Sequence, residues 1–222
     1  MSNPNIDHFK ALEYIWKYLL MFPDLGLIYN CNGDSFIIKG YIDSDYANDI
    51  NERRSTTGYI FSFSNNIANN IANNNIISWN SQLQKTVALS SCEAEYVALK
   101  EGIREAIYLN NLYKYFNNKL NLNYIIKTPV LFVDNQSAIK LAENPKFHKR
   151  TKHIDIIYHY SRQAINDNLV SIVYIPTKEQ LADFLTKNLP NPQHKYLLKK
   201  ANISNNIDNP GYIYKDIENK EN

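Results

Sequence analysis

At 222 residues with 44% apolar content, the chain can bury one sizeable core, and the usual span of about 100–200 residues per domain predicts one domain with appendages. A net charge of only +2 excludes a polycationic field over the whole molecule, so contacts with nucleic acid have to come from local patches. The two cysteines, Cys31 and Cys92, lack metal-ligand spacing, and neither a signal peptide nor an apolar run of about 18 residues is present; the expected setting is the reducing cytoplasm, with no membrane partner.

Taken in order, Phe9, Leu12, Ile15, Trp16, Leu19 and Leu20 recur at helical spacing between Ile6 and Met21, and Pro23 with Gly26 closes that element. It reads as a lead-in helix within an appendage spanning residues 1–35. A strand follows from near Phe36 through Ile37-Ile38-Lys39-Gly40-Tyr41-Ile42 and ends in Asp43-Ser44-Asp45. A second strand, Gly58–Phe63, and a third, Ile76–Ser81, bracket the Asn-rich run 65–75, which predicts an antiparallel hairpin whose tip has been lengthened by a solvated insertion. At Ser90-Ser91-Cys92-Glu93 a capping-box pattern opens a long helix carrying Ala94, Val97, Ala98, Ile103 and Ala106.

Pro129-Val130-Leu131-Phe132-Val133-Asp134 is near-continuously apolar and predicts a strand buried on both faces, again ending in an acid. Asn135-Gln136-Ser137 opens a short helix that stops before Pro145, and a basic connection, Lys146 to His153, leads into a helix through Ile154, Ile157, Tyr158, Ser161 and Ile165. A fifth strand covers Leu169–Ile175, and a last core helix is predicted from Thr177 as its cap, with Asp183 in the second turn. The order β-β-β-α-β-α-α-β-α implies an α/β domain: a mixed five-stranded sheet flanked by helices, antiparallel first and parallel later. It spans residues 36–200, and residues 201–222, rich in Asn, read as a flexible tail.

Four acids fall at privileged places in that order: Asp43 at the end of the first strand, Glu95 in the first turns of the long helix, Asp134 at the end of the buried strand, and Asp183 in the last core helix. If the first and fourth strands are adjacent and parallel, Asp43 and Asp134 stand side by side. Carboxylates gathered in this way repel strongly without cations, and hard oxygen ligands of this kind suit Mg²⁺ or Mn²⁺. Glu93 and Glu95 lie about 200° apart round a helix, so only one can face the cluster; Glu93 suits the N-terminal cap. Asp43 and Asp45 share a strand face, and period alone leaves that choice open.

Several longer stretches, in this order, resemble the ribonuclease H region of copia-type LTR retrotransposon Pol polyproteins: Gly40-Tyr41-Ile42-Asp43-Ser44-Asp45-Tyr46-Ala47, Arg53-Arg54-Ser55-Thr56-Thr57-Gly58-Tyr59, Ile77-Ser78-Trp79, Thr86 through Leu99, Val133-Asp134-Asn135-Gln136-Ser137-Ala138, Thr151-Lys152-His153-Ile154-Asp155, and Gln180-Leu181-Ala182-Asp183-Phe184-Leu185-Thr186-Lys187. The segment His8–Tyr29 resembles the tail of that family's reverse transcriptase. The resemblance implies a ribonuclease H-like fold and a metal-dependent endonuclease that hydrolyses the RNA strand of RNA–DNA hybrids during reverse transcription. It implies Asp43, Glu95, Asp134 and Asp183 as catalytic residues and ligands of two Mg²⁺ ions, with Mn²⁺ as a substitute, and it favours Asp43 over Asp45 and Glu95 over Glu93. The partners it implies are the hybrid and the reverse transcriptase region of the same polyprotein, in a cytoplasmic or virus-like particle setting. The alternative is a catalytically inactive relic serving as a nucleic-acid-binding or structural module.

Local patches supply the candidate nucleic-acid contacts. Lys149, Arg150, Lys152 and His153 sit in the basic connection beside the inferred site, and Arg53, Arg54 and Ser55 lie in the hairpin near the first acid. Asn135 and Gln136 follow Asp134 directly, where a helix cap and a 2′-hydroxyl contact are both open. Tyr59, Phe61, Phe63 and Trp79 read as core and cross-strand packing, and Cys92 as a small packing residue with no base near it in sequence.

Overall fold

The computed structural model describes residues 4–29, 35–64, 74–143 and 152–205 of the chain. These fall into two compact units, one built from the two ends of the chain and the other from residues 29–202. In the first unit, helix α1 (Ile6–Met21) is capped by Asn5, whose side chain accepts the Asp7 and His8 backbone N–H groups. Strand β1 (Leu25–Leu27) pairs antiparallel with β8 (Ile203–Asn205). Part of the segment expected to be a flexible tail, residues 201–205, is thus a turn and a strand, while residues 206–222 lie outside the described residues.

The second unit holds the mixed five-stranded sheet expected from the element order. Its strands are β2 (Ser35–Asp45), β3 (Thr56–Ser64), β4 (Asn75–Leu83), β6 (Val130–Val133) and β7 (Ser171–Tyr174), arranged in the order β4-β3-β2-β6-β7. The three early strands pair antiparallel, and β2, β6 and β7 run parallel. A two-residue strand, β5 (Ile125–Ile126), adds a parallel bridge to the start of β2. This is the mixed sheet, antiparallel first and parallel later, that the element order predicted. All four residues of β6 are buried, as a central parallel strand with helices over both faces requires. At the edge, β7 is half exposed.

Helix α2 (Ser91–Lys119), α3 (Gln136–Glu143) and α4 (Lys152–Asn166) pack together on the sheet, and Ile38, Ile42, Phe61, Leu99, Ile103, Leu131 and Val133 form the heart of the core. The short helix α5 (Asp183–Thr186) lies against β2, β3 and β4, and α6 (Asn191–Lys200) closes the unit. Ser90 caps α2 as the sequence predicted: its hydroxyl accepts the Glu93 N–H, and the Glu93 carboxylate accepts the Leu89 N–H. Among the described residues, no helix is long and apolar enough to cross a membrane.

Three local expectations are corrected. The helix predicted from Thr177 is a 3-10 turn, Thr177–Glu179, with no side-chain cap, and the chain becomes extended at Gln180 before Asp183 opens α5. The break follows from Gln180, whose buried amide turns inward to strand carbonyls instead of continuing the helix. Trp79, expected in the packed aromatic set, is 59% exposed on the edge strand β4, whereas Phe61 is fully buried and lies edge-on to Tyr59. The Asn-rich run was expected to be solvated, yet its last residues, Asn74 and Asn75, are buried. Asn74 is satisfied there, its amide donating to the Lys200 carbonyl at 3.0 Å and its oxygen accepting from Ser62; residues 65–73 lie outside the described set.

Two glycines set the closeness of the helices to the sheet. A Cβ on Gly102 of α2 would stand 2.2 Å from Cδ1 of the buried Ile42, and one on Gly58 of β3 would stand 2.5 Å from Cγ2 of Thr186 in α5. Bare backbone at these positions lets α2 lie flush on β2, which carries the first acid, and α5 on its neighbour β3. Gly102→Val is expected to destabilise the protein by about 1–3 kcal/mol through overpacking, measured by urea denaturation. Gly26→Ala, with nothing within 4 Å of the added carbon, is the control and is expected to change stability by less than about 0.5 kcal/mol.

Candidate metal centre

The register Gly40↔Leu131 and Tyr41↔Phe132 between β2 and β6, carried two residues further, sets Asp43 beside Asp134 at the carboxyl ends of the two strands. These strand ends are where open parallel sheets gather ligands. The two strands are stitched together one layer below: the Gln180 side-chain amide donates to the Ile42 carbonyl at 2.9 Å and to the Phe132 carbonyl at 3.4 Å. The extended stretch at Gln180 then delivers Asp183 at the start of α5. Asp43, Asp134 and Asp183 can each offer one carboxylate oxygen with all three within 4.8 Å of one another.

Glu95, in the second turn of α2, stands outside that trio but near enough for charge coupling. Its carboxylate accepts the Ser44 backbone N–H, yet its Oε2 is buried without a hydrogen-bond partner. Burial first, then the charges of Asp43 and Asp134, push the Glu95 carboxyl up to about 9, against the opposing pull of Lys187 and the Ser44 N–H. Burial and the Asp43 charge likewise raise Asp183 to about 6, although its bond from Lys187 works the other way.

Two residues that sequence reasoning passed over complete the centre. Lys187 Nζ donates to Asp43 Oδ1 at 3.0 Å and to Asp183 Oδ1 at 2.9 Å. Thr186 donates its hydroxyl to the other oxygen of Asp43. Burial would lower the lysine, but the Asp43 charge and the bonds to both carboxylates hold it above its ordinary range. The signal lay in the spacing: Thr186 and Lys187 fall three and four residues after Asp183, positions that neighbour it on a helical turn.

The remaining predicted residues divide. Asp45 ends β2 opposite Thr56 and is half-buried outside the trio. Ser55 is fully buried, its Oγ accepting the Ala47 N–H at 3.0 Å, so it orders the loop after Asp45 instead of facing solvent. Arg54 pairs with Glu52, and Arg53 is exposed with a left-handed backbone at φ 56°. Asn135 caps α3, its Oδ1 accepting the Ser137 and Ala138 N–H groups at 3.0 Å each, and Gln136 is exposed. Lys149 and Arg150 lie outside the described residues, and for Lys152 and His153 only the backbone, within α4, is described. Burial, with Glu95 and Glu93 nearby, raises the Cys92 thiol, which keeps it from acting as a thiolate.

The donor set fits a hard divalent cation. It offers carboxylate oxygens alone, their mutual repulsion exceeds what one lysine neutralises, and Glu95 Oε2 is buried without a hydrogen-bond partner. The same imbalance fixes a pH dependence in the absence of metal. From the ordinary value of 4.5 up to about 9, folded Glu95 keeps a proton that the unfolded chain has released. Stability from such a group is complete at low pH and is lost as pH rises through that window. In EDTA, Glu95→Gln is therefore expected to be more stable than the parent at about pH 8 and to lose less stability between about pH 5 and pH 9, as read by urea denaturation. Parallel pH profiles would contradict the shift.

A scan against protein-family models gives no match. Over 193 residues, 86% of its length, the chain is 42% identical to the retrovirus-related Pol polyprotein from transposon TNT 1-94 of Nicotiana tabacum. Over 203 residues, 91% of its length, it is 32% identical to that from transposon RE2 of Arabidopsis thaliana. Among solved structures, the N-terminal RNase H domain of a Mycobacterium tuberculosis protein, fused to maltose binding protein, matches 75% of the chain and 99% of its own length, with 14% identity and a TM-score of 0.44. The chain spans about 13% of the length of each of the two polyproteins, and over most of its own length it is similar to that segment of copia-type retrotransposon Pol polyproteins.

Proposed function

We propose that this segment is a metal-dependent ribonuclease that hydrolyses the RNA strand of RNA–DNA hybrids. The observation that carries the reading is the convergence of Asp43, Asp134 and Asp183 within 4.8 Å, with Glu95 coupled to them from α2. Kinship with Pol polyproteins supports it, because making DNA from an RNA template leaves a hybrid whose RNA strand has to be removed.

In this reading Asp43, Asp134, Asp183 and Glu95 hold two Mg²⁺ ions, with Mn²⁺ as a substitute. Bound there, such ions lower the pKa of a water and stabilise the charge on a departing 3′ oxygen. The protein's own part is placement. Parallel β2 and β6, tied by Gln180, fix two carboxylates at one sheet edge; α5 brings the third; α2 brings Glu95, which releases its proton as positive charge enters. Thr186 orients Asp43 through its hydroxyl bond. The exposed Gln136 and Arg53 are read as contacts to the hybrid's sugar-phosphate backbone, and the basic sequence Lys149, Arg150, Lys152 and His153 as further phosphate contacts. Asn135, its oxygen committed to the cap, retains an amide N–H₂ for the same purpose.

Asp134→Asn is expected to lower cleavage of a labelled RNA–DNA hybrid in Mg²⁺ by at least about 10³-fold, a loss of about 4 kcal/mol of transition-state stabilisation. The fold is expected to survive, as circular dichroism and urea denaturation would show. Cleavage at the parental rate by a folded Asp134→Asn protein would refute the assignment, and hybrid binding without cleavage by the parent would support the inactive relic instead.

A further inference from the structure

Lys187 is not an ordinary surface cation. Its ammonium bridges Asp43 Oδ1 and Asp183 Oδ1 at 3.0 and 2.9 Å, its side chain is 31% exposed, and the two aspartates are buried at 0% and 4%. Both of these aspartates belong, with Asp134, to a set that can offer one carboxylate oxygen each with all three within 4.8 Å of one another, so a cation joining the three acids has to sit against the two carboxylates that Lys187 bonds. A divalent ion bound to carboxylates at about 2.0–2.6 Å takes up those lone pairs. An ammonium in the same place would face a dication within about 4 Å, a strong repulsion in a partly buried site.

The lysine has the means to leave. It stands on a flexible four-carbon stem, four residues after Asp183 at the end of α5, where the chain becomes extended again at ψ 151°. Thr186, the other donor to Asp43, uses the opposite carboxylate oxygen and can stay. We infer that Lys187 is a built-in counter-ion: it holds Asp43 and Asp183 together in the metal-free protein and is displaced when a divalent cation binds between them. This rests on the metal-site reading above. Two consequences follow. The acids stay folded together before metal arrives, and the first ion binds more weakly than the bare carboxylates would allow, because it has to displace a bonded ammonium.

The test uses the full chain with Mn²⁺ alone, followed by calorimetric titration, together with thermal melting in EDTA and in saturating Mn²⁺. Lys187→Met is expected to bind the first Mn²⁺ about tenfold more tightly than the parent, equivalent to about 1.4 kcal/mol. It is also expected to melt lower than the parent in EDTA, with that deficit closing in saturating Mn²⁺. Lys187→Gln serves should the methionine protein fail to fold, and is expected to shift affinity in the same direction. Lys187→Arg, which keeps the charge, is expected to stay within about threefold of the parent.

Equal Mn²⁺ affinity in all the variants, with a melting deficit that Mn²⁺ leaves unchanged, would overturn the counter-ion role while the metal site stood. Absence of Mn²⁺ binding in every variant would overturn both. The expected affinity and melting pattern in a parent protein that does not cut hybrids would support the counter-ion role and remove the ribonuclease reading alone.

Discussion

Mutual repulsion among carboxylates held at one sheet edge is the constraint on which the rest of this structure turns. Asp43 and Asp134 are side by side because β2 and β6 are parallel neighbours, and α5 adds Asp183 to the same spot. Three acids in a partly buried site, with a fourth behind them, work against folding unless positive charge or protons offset them. The metal-free protein uses both remedies. Lys187 bonds two of the acids, and Glu95 keeps its proton to about pH 9. Neither remedy offsets all of the negative charge that the three aspartates bring together.

The surrounding fold reads as the means of enforcing that unfavourable arrangement. Gln180 ties the carbonyls of Ile42 and Phe132, just ahead of the two strand-end acids, so the strands cannot splay. Gly58 and Gly102 let α5 and α2 approach where a side chain would hold them off. The apolar core beneath, from Ile38 and Ile42 to Leu131 and Val133, supplies burial at about 25 cal/mol per Å² of apolar surface. A second charge pair, with its lysine buried and its glutamate half-buried, anchors the far end: Lys200 donates to the Glu179 carboxylate at 2.7 Å and to its carbonyl at 2.8 Å, fixing α6 against the turn that leads to Asp183.

Much of this was legible in the residue pattern, and the reasons are local. The apolar run Val130–Val133 could only be a strand buried on both faces, and alternation in β2 and β3 with an Asn-rich interval between β3 and β4 announced a hairpin. Acids at strand ends are visible because they interrupt such runs. What stayed hidden depends on tertiary partners. Gln180 looks helix-compatible until the carbonyls of two distant strands claim its amide, and that contact turns the expected helix from Thr177 into a 3-10 turn followed by a break. Asn74 looks like one more solvated asparagine until Lys200 arrives from 126 residues away. Ser55 looks like an exposed hydroxyl until the Ala47 N–H closes on it. Lys187 reads as a helix-end charge, and only Asp43, 144 residues distant, reveals its place.

The function of this centre depends on whether the three aspartates form a cation site. The most direct measurement is anomalous diffraction from crystals of the protein soaked in Mn²⁺. The expected result is a manganese peak bounded by carboxylate oxygens of Asp43, Asp134 and Asp183 at about 2.0–2.3 Å, with Lys187 Nζ moved away from Asp43 and Asp183. Crystals without a peak there, with Lys187 still bridging the two carboxylates at high Mn²⁺, would contradict it.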